Sequence, residues 1–303
     1  MIIHKIGKIT DNLYTAGSPD VPVYLLDGEK PAIFDAGFSF LGERYIEDVK
    51  TVLGQREPSY CFLSHSHFDH CGAVAMLKDS FPSMKVVASK NAKKNLGRPN
   101  ALKLIAKLSR QSEDMADKFN LKSIPPDSFK PFEVDITAAQ GDIFEISHGV
   151  TVRVVETPGH TRDCLTYYIP EKKILLPSES AGIPDDTGYI LSAFLIDYDM
   201  YLDSIKKLGS LDIDILCFGH YMVYTGDDAK GYINDSISQC ERFIKQVKRF
   251  LVEEKGNLHL VRDRIKKIEY DHKTGIVQPE PAYLLNLEAS ISAVKRKMEQ
   301  DIL

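Results

Sequence analysis

The stretch Ser59-Tyr60-Cys61-Phe62-Leu63-Ser64-His65-Ser66-His67-Phe68-Asp69-His70-Cys71-Gly72 decides how this 303-residue chain is read. Tyr60 to Leu63 is a short, nearly all-apolar run, the pattern of a strand buried on both faces. Three histidines and an aspartate fall between His65 and His70, and Gly72-Ala73-Val74-Ala75-Met76-Leu77 comes next with good helix formers. The order is strand, ligand loop, helix. Polar groups thus gather where a strand ends, the place where open α/β sheets hold their ligands. Neutral imidazole and carboxylate suit a borderline divalent cation such as zinc or iron. His65 and His67 alternate with Ser66 and Phe68, so an extended loop points both rings the same way, onto one ion. Asp69 and His70 stand just beyond and can serve a second. A chance His-x-His-x-Asp-His is improbable in a chain with nine histidines.

Outward from this stretch, Val21 to Leu26 and Ala32 to Gly37 read as strand arms around a turn at Asp27-Gly28-Glu29-Lys30-Pro31. Leu41, Tyr45, Ile46, Val49, Val52 and Leu53 recur at helical spacing, and Lys85 to Ala88 is a further strand. Lys90 to Asn120 is rich in Lys, Ala, Leu and Asn, and the prolines Pro125, Pro126 and Pro131 end the helical pattern, so a helical insertion is expected over about 90–131. Its Lys93, Lys94, Arg98, Lys103, Lys107 and Arg110 read first as a solvated helix face and second as an anion-binding rim. Strands resume at Asp142 to Ile146, Thr151 to Glu156, Leu165 to Ile169 and Ile174 to Leu176. After a helix near Met200 to Leu208 comes another strand run, Ile213 to Gly219.

One design recurs. An apolar strand runs out and a side chain able to bind metal stands at its end: His67, His160, Glu179 and His220. Strands of one folded unit would bring these ends to a common edge. Beyond Gly226 the strand patterns fade. Ile233, Ile237, Cys240, Phe243, Ile244, Val247, Phe250 and Leu251 mark a strong amphipathic helix over Gly231 to Glu254, and helical patterns continue to Met298. The expected organisation is a domain over 1–225 and a helical extension over 226–303. That extension would pack on the core, form a homodimer with a second subunit, or lid the site.

Composition narrows the field. Hydrophobic content of 43% and charged content of 27% are those of a globular protein with material for a core. A net charge of −5 argues against a nucleic acid as partner, because such binders carry basic stripes. No apolar run approaches the roughly 18–20 residues that cross a bilayer, so no membrane partner is expected. The N-terminal residues Met1 to Lys8 carry no apolar leader pattern. Cys61, Cys71, Cys164, Cys217 and Cys240 are odd in number, lack CxxC spacing and mostly sit in apolar runs, so they read as buried free thiols. The expected location is the cytoplasm.

Together these residues resemble the metallo-β-lactamase superfamily. His65-x-His67-x-Asp69-His70, the Pro-Gly-His-Thr run at Pro158 to Thr161, a strand-end acid and Gly219-His220 keep that family's order, and Asp35-Ala36-Gly37 is similar to its early Asp-x-Gly turn. The resemblance covers roughly residues 9–225. It implies an α/β fold, a four-layer αββα sandwich with a site for two metal ions along one edge. Carried over, it gives His65, His67 and His160 to one metal and Asp69, His70 and His220 to the other. Glu179 stands where the family places a bridging aspartate. Glutamate is one methylene longer, and Tyr221 replaces the family's common glycine after the last histidine; its phenol is a candidate substrate contact. Asp35 is expected to fix the turn and hold a ligand rather than bind metal itself. The insertion and helical tail are similar in layout to the quinolone-signal response proteins, a subgroup resembling acyl-CoA thioesterases.

The chemistry implied is hydrolysis. Two divalent cations, zinc first and iron or manganese next, lower the pKa of a shared water, and Asp69 orients it and shuttles its proton. A small-molecule thioester or ester is the expected substrate. A lactone or phosphodiester is the nearest alternative, and a regulatory scaffold that keeps the metal site is the alternative from another class. Cys71 reads as a small buried helix residue rather than a nucleophile.

Overall fold

The computed structural model describes residues 1–119, 121, 129–273 and 278–301. The chain divides into two compact units. The first comprises Met1–Glu156, Asp163–Ser178 and Asp212–Gly226, and the second Thr157–Arg162, Glu179–Leu211 and Asp227–Leu303.

Two seven-stranded sheets build the first unit. One runs in the order β2 (Gly7–Lys8), β3 (Leu13–Ser18), β4 (Val21–Leu26), β5 (Ala32–Phe34), β6 (Tyr60–Phe62), β7 (Lys85–Ser89), β8 (Ile136–Ala138). It is antiparallel from β2 to β5 and parallel from β5 to β8. The other runs β1 (Ile2–Ile3), β16 (Val223–Thr225), β15 (Ile215–Cys217), β12 (Ile174–Leu176), β11 (Leu165–Ile169), β10 (Val150–Glu156), β9 (Ile143–Ser147). There, β12 and β15 are parallel neighbours, with Leu175 opposite Leu216.

Period-two alternation explains why the central strands read as unbroken apolar runs. On β4, Val21, Val23 and Leu25 enter the cluster with the helices, while Tyr24 and Leu26 enter the cluster between the sheets. On β5 and β6, Ile33 and Cys61 take the first side, Phe34 and Phe62 the second. The inter-sheet layer is aromatic: the Phe62 ring lies 5.0 Å from Tyr167 and 5.1 Å from Phe144. Burying a phenylalanine there contributes about 1.5–3 kcal/mol. Tyr24 and Tyr167 keep their hydroxyls satisfied by donating to Phe218 O (2.6 Å) and Leu63 O (2.7 Å).

Helix α1 (Gly42–Leu53) buries Tyr45, Val49 and Leu53 along one stripe, as its spacing predicts. Tyr45 needs two glycines. A Cβ on Gly17 or Gly37 would sit 1.9 Å or 2.0 Å from its ring or hydroxyl, and both residues have positive φ. The ligand stretch departs from the sequence expectation. Asp69 and His70 belong to a one-turn helix, α2 (Phe68–Cys71), before α3 (Val74–Ser80), rather than to a loop preceding a single helix. The insertion is helical as α4 (Lys90–Leu96), α5 (Pro99–Ser112) and a 3-10 turn over Glu113–Phe119. The Asn120 end of that pattern and the Pro125-Pro126 break lie outside the described residues.

Among its described residues the second unit contains a small hairpin, β13 (Ile183–Pro184) with β14 (Ile190–Leu191), and four α-helices. These are α6 (Tyr198–Leu208), α7 (Asp227–Glu253), α8 (Leu258–Glu269) and α9 (Glu280–Gln300). Helix α7 buries Ile233, Cys240, Phe243, Ile244, Val247, Phe250 and Leu251. After it, Gly256 turns the chain at φ 76° and Asn257 Oδ1 accepts from the amides of His259 and Leu260 to start α8. Among the described residues no helix is long and apolar enough to cross a membrane. All five cysteines are buried, and none of them forms a disulfide.

Candidate metal centre

In the first unit the ligand stretch is pinned by its backbone. Leu63 N donates to Val87 O (2.8 Å), Leu165 N to Ser64 O (2.7 Å), and Ser66 N to the carboxylate of Asp163 (2.9 Å). His65 and His67 come next, with ring centroids 4.5 Å apart and His67 in extended backbone. The α2 turn brings His70 back, its ring 4.4 Å from His65. Strand β15 ends three residues before His220, whose ring lies 5.2 Å from His70. A Cβ on Gly219 would sit 2.9 Å from His70 Cε1 and from Ser178 Oγ, so only glycine lets the β15 end pass this close.

Three of these histidines have Nδ1 occupied by oxygen. His70 Nδ1 donates to Asp35 Oδ2 (2.9 Å) and His220 Nδ1 to the Asp20 carbonyl (3.2 Å). Both acceptors carry no proton, so each ring keeps its lone pair on Nε2. The Ser64 hydroxyl gives its proton to Asp35 Oδ2 (2.9 Å), which leaves its oxygen to accept from His65 Nδ1 (3.0 Å). Asp35 also accepts from Ser64 N (2.7 Å) and takes φ 58°, a turn geometry that aspartate tolerates. It holds the His70 ring directly and the His65 ring through Ser64, and it is absent from both clusters of side chains able to hold a metal among the described residues.

The spacing at Asp69 defines the chemistry. Its Oδ2 lies 3.9 Å from His70 Nε2 and 3.7 Å from His220 Nε2, too far for hydrogen bonds. Three lone-pair atoms thus face one another. Donors about 2.1 Å from one cation, at tetrahedral to trigonal angles, stand about 3.4–3.7 Å apart. The 3.7 Å separation meets that range and the 3.9 Å one lies 0.2 Å beyond it, so a small inward shift would seat a divalent ion, which the composition of imidazole and carboxylate suits.

In the second unit, Gly159 takes φ 138° beside α6, where a Cβ would meet Tyr201 Cα at 2.4 Å. The next residue, His160, is buried and donates from Nδ1 to the Ala193 carbonyl (2.5 Å), the same Nδ1-to-oxygen arrangement. Glu179 is buried, and its backbone carbonyl accepts from the Tyr201 hydroxyl (2.8 Å). Tyr221, in the first unit, takes φ 68° and lies with its ring 5.8 Å from that of His220.

Comparison with known proteins then places the fold. Residues 17–220 match the model of the metallo-beta-lactamase superfamily. The chain belongs to this superfamily. Its mixed α/β architecture, with two sheets, helical insertion and helical C-terminal segment, is the fold the sequence implied. Among solved structures, the archaeal superfamily protein ST1585 from Sulfolobus tokodaii superposes with a TM-score of 0.61 at 19% identity, over 95% of this chain and 99% of that one. Flavo-diiron protein FprA2 of Clostridium acetobutylicum is 22% identical over 289 residues, 85% of this chain and 68% of that protein. The atrochrysone carboxyl ACP thioesterase of Emericella nidulans is 24% identical, over 80% of this chain and 62% of its own. A hydroxyacylglutathione hydrolase of Rhodopseudomonas palustris is 30% identical, over 55% of this chain and about half, 49%, of its own length.

Several residues that hold the candidate ligands or their backbone lie outside the motif's own ligand positions. Ser64, Asp163 and Tyr201 act through hydrogen bonds to neighbours distant in sequence. Ser64 and Asp163 flank the motifs closely, so a search of adjacent polar residues could have found them. Tyr201 sits in an ordinary amphipathic helix pattern.

Proposed function

We propose that this chain is a metal-dependent hydrolase with two divalent cations. His65, His67 and His160 would hold one, and Asp69, His70, Glu179 and His220 the other, with Glu179 in the place of the bridging acid. The observation that carries the reading is the facing of Asp69 Oδ2, His70 Nε2 and His220 Nε2 at separations that a cation explains and hydrogen bonding does not. His160 and Glu179 join them on the strand-end pattern: each stands within four residues of the end of a strand of the first unit, β10 and β12. Zinc is the first choice, with iron or manganese next.

Bound there, the ions supply Lewis acidity and a water acidic enough to attack near neutral pH. The Asp69 carboxylate would orient that water and, through its oxygen not engaged with a cation, accept the proton and return it to the leaving group. Asp35 and Ser64 keep His70 and His65 in the tautomer that presents Nε2. No side-chain nucleophile is invoked: Cys71 is fully buried, and burial pushes its thiol pKa well up, against a role as thiolate. The substrate is a small thioester or ester, with Tyr221 as a contact. The similarity to a thioesterase and to hydroxyacylglutathione hydrolases supports that class. A cytoplasmic location accords with five cysteines outside any disulfide.

The test is a panel of thioesters, lactones and phosphodiesters offered to metal-loaded protein, with His67→Ala beside it. Thioester turnover that falls to background in the variant is expected. Turnover of lactones or phosphodiesters alone reassigns the substrate. No turnover by folded protein holding two metals contradicts the hydrolase and favours a scaffold.

A further inference from the structure

Beyond the ligands themselves, and resting on the metal reading above, we infer that Tyr201 is a positioning residue that locks His160 and Glu179 together. One buried phenol links the two. It donates to the Glu179 carbonyl (2.8 Å) and accepts from Ala193 N (3.3 Å), while the Ala193 carbonyl accepts from His160 Nδ1 (2.5 Å). The phenol thus holds the Glu179 backbone directly and the His160 ring through one residue, Ala193, whose N–H bonds the phenol and whose carbonyl, across its Cα, bonds the ring. Every link lies within the second unit.

The surroundings make the phenol hard to replace. Tyr201 is fully buried, its ring 5.9 Å from Phe194, and burial raises its pKa, so the hydroxyl stays a proton donor. Gly159 lies so close to the α6 backbone that any side chain there would collide with Tyr201. One turn on, Ser204 Oγ donates to the Pro158 carbonyl (2.8 Å), two residues before His160. Helix α6 therefore grips the His160 loop twice, and through Tyr201 it also grips Glu179. Because His160 and Glu179 are assigned to different ions, a single hydroxyl governs the geometry of both.

The test is metal loss to a chelator, monitored at a temperature where every variant is folded. Tyr201→Phe keeps the ring and removes only the hydroxyl. Its expected effect is release of both metal equivalents about 10- to 100-fold faster than wild type, the usual scale for losing an outer partner of a ligand. The cobalt-substituted protein should show a shifted visible spectrum. Val261→Ala, a core truncation in α8, is the control for lost stability and should leave rate and spectrum unchanged. Ser204→Ala, which frees Pro158 but leaves Glu179 held, should speed loss of one equivalent only, and it carries the test should Tyr201→Phe fail to fold. Wild-type rates in Tyr201→Phe, or equal acceleration in Val261→Ala, overturn the inference while leaving the metal reading intact. A wild-type protein that takes up no metal overturns both.

Discussion

Asp35 shows how one side chain outside the ligand set can decide whether the set works. Its carboxylate takes three protons' worth of hydrogen bonding, from Ser64 N, Ser64 Oγ and His70 Nδ1, in a pocket where it is mostly buried. Asp35→Asn keeps the size and suits φ 58°, but its amide nitrogen cannot accept from either hydroxyl or imidazole. The His70 ring is then free to rotate or change tautomer. Metal affinity should fall about 10- to 100-fold in a chelator competition, with little change in the urea midpoint of the metal-free protein. Unaltered affinity would mean that His70 is oriented by packing alone.

At the scale of elements, the second unit holds a buried carboxyl at the junction of α8, α9 and the β13–β14 hairpin. Glu269 accepts from the Tyr189 and Tyr283 hydroxyls, and Lys273 lies over the Tyr189 ring at 3.9 Å while pairing with Asp185. Burial raises the Glu269 pKa to about 7 despite these partners. A folded-state pKa above the unfolded 4.5 favours the folded state at low pH. The contribution is complete below about pH 4.5 and is lost as pH rises through about 7, a change of about 3 kcal/mol. Comparing urea unfolding of wild type and Glu269→Gln across that window isolates it. The wild type should lose stability relative to the variant as pH rises, and parallel curves would contradict the assignment.

The same scale shows what a sequence can carry. Long apolar runs and helical stripes announced β4, β10, β11, α1 and α7, because burial of one or both faces imposes a period that survives in the residues. The one-turn α2 and the two-residue strands β1 and β2 are too short to show a period; backbone hydrogen bonds to partners far along the chain create them. The ligand types were legible because metal chemistry admits few side chains. The Asp20 and Ala193 carbonyls that fix His220 and His160 were not, since every residue has a carbonyl and only the fold selects one.

For the whole molecule, the proposed function turns on seven side chains from four segments of the chain that would hold two cations. Elemental analysis of protein grown with added metals should give about two equivalents per chain. The most direct measurement is anomalous X-ray scattering from crystals, collected at the absorption edge of the metal found. Two peaks are expected, one within ligand distance of His65, His67 and His160, the other of Asp69, His70, Glu179 and His220. A single peak, or two peaks with Glu179 or His160 turned away from both, would contradict the two-metal centre.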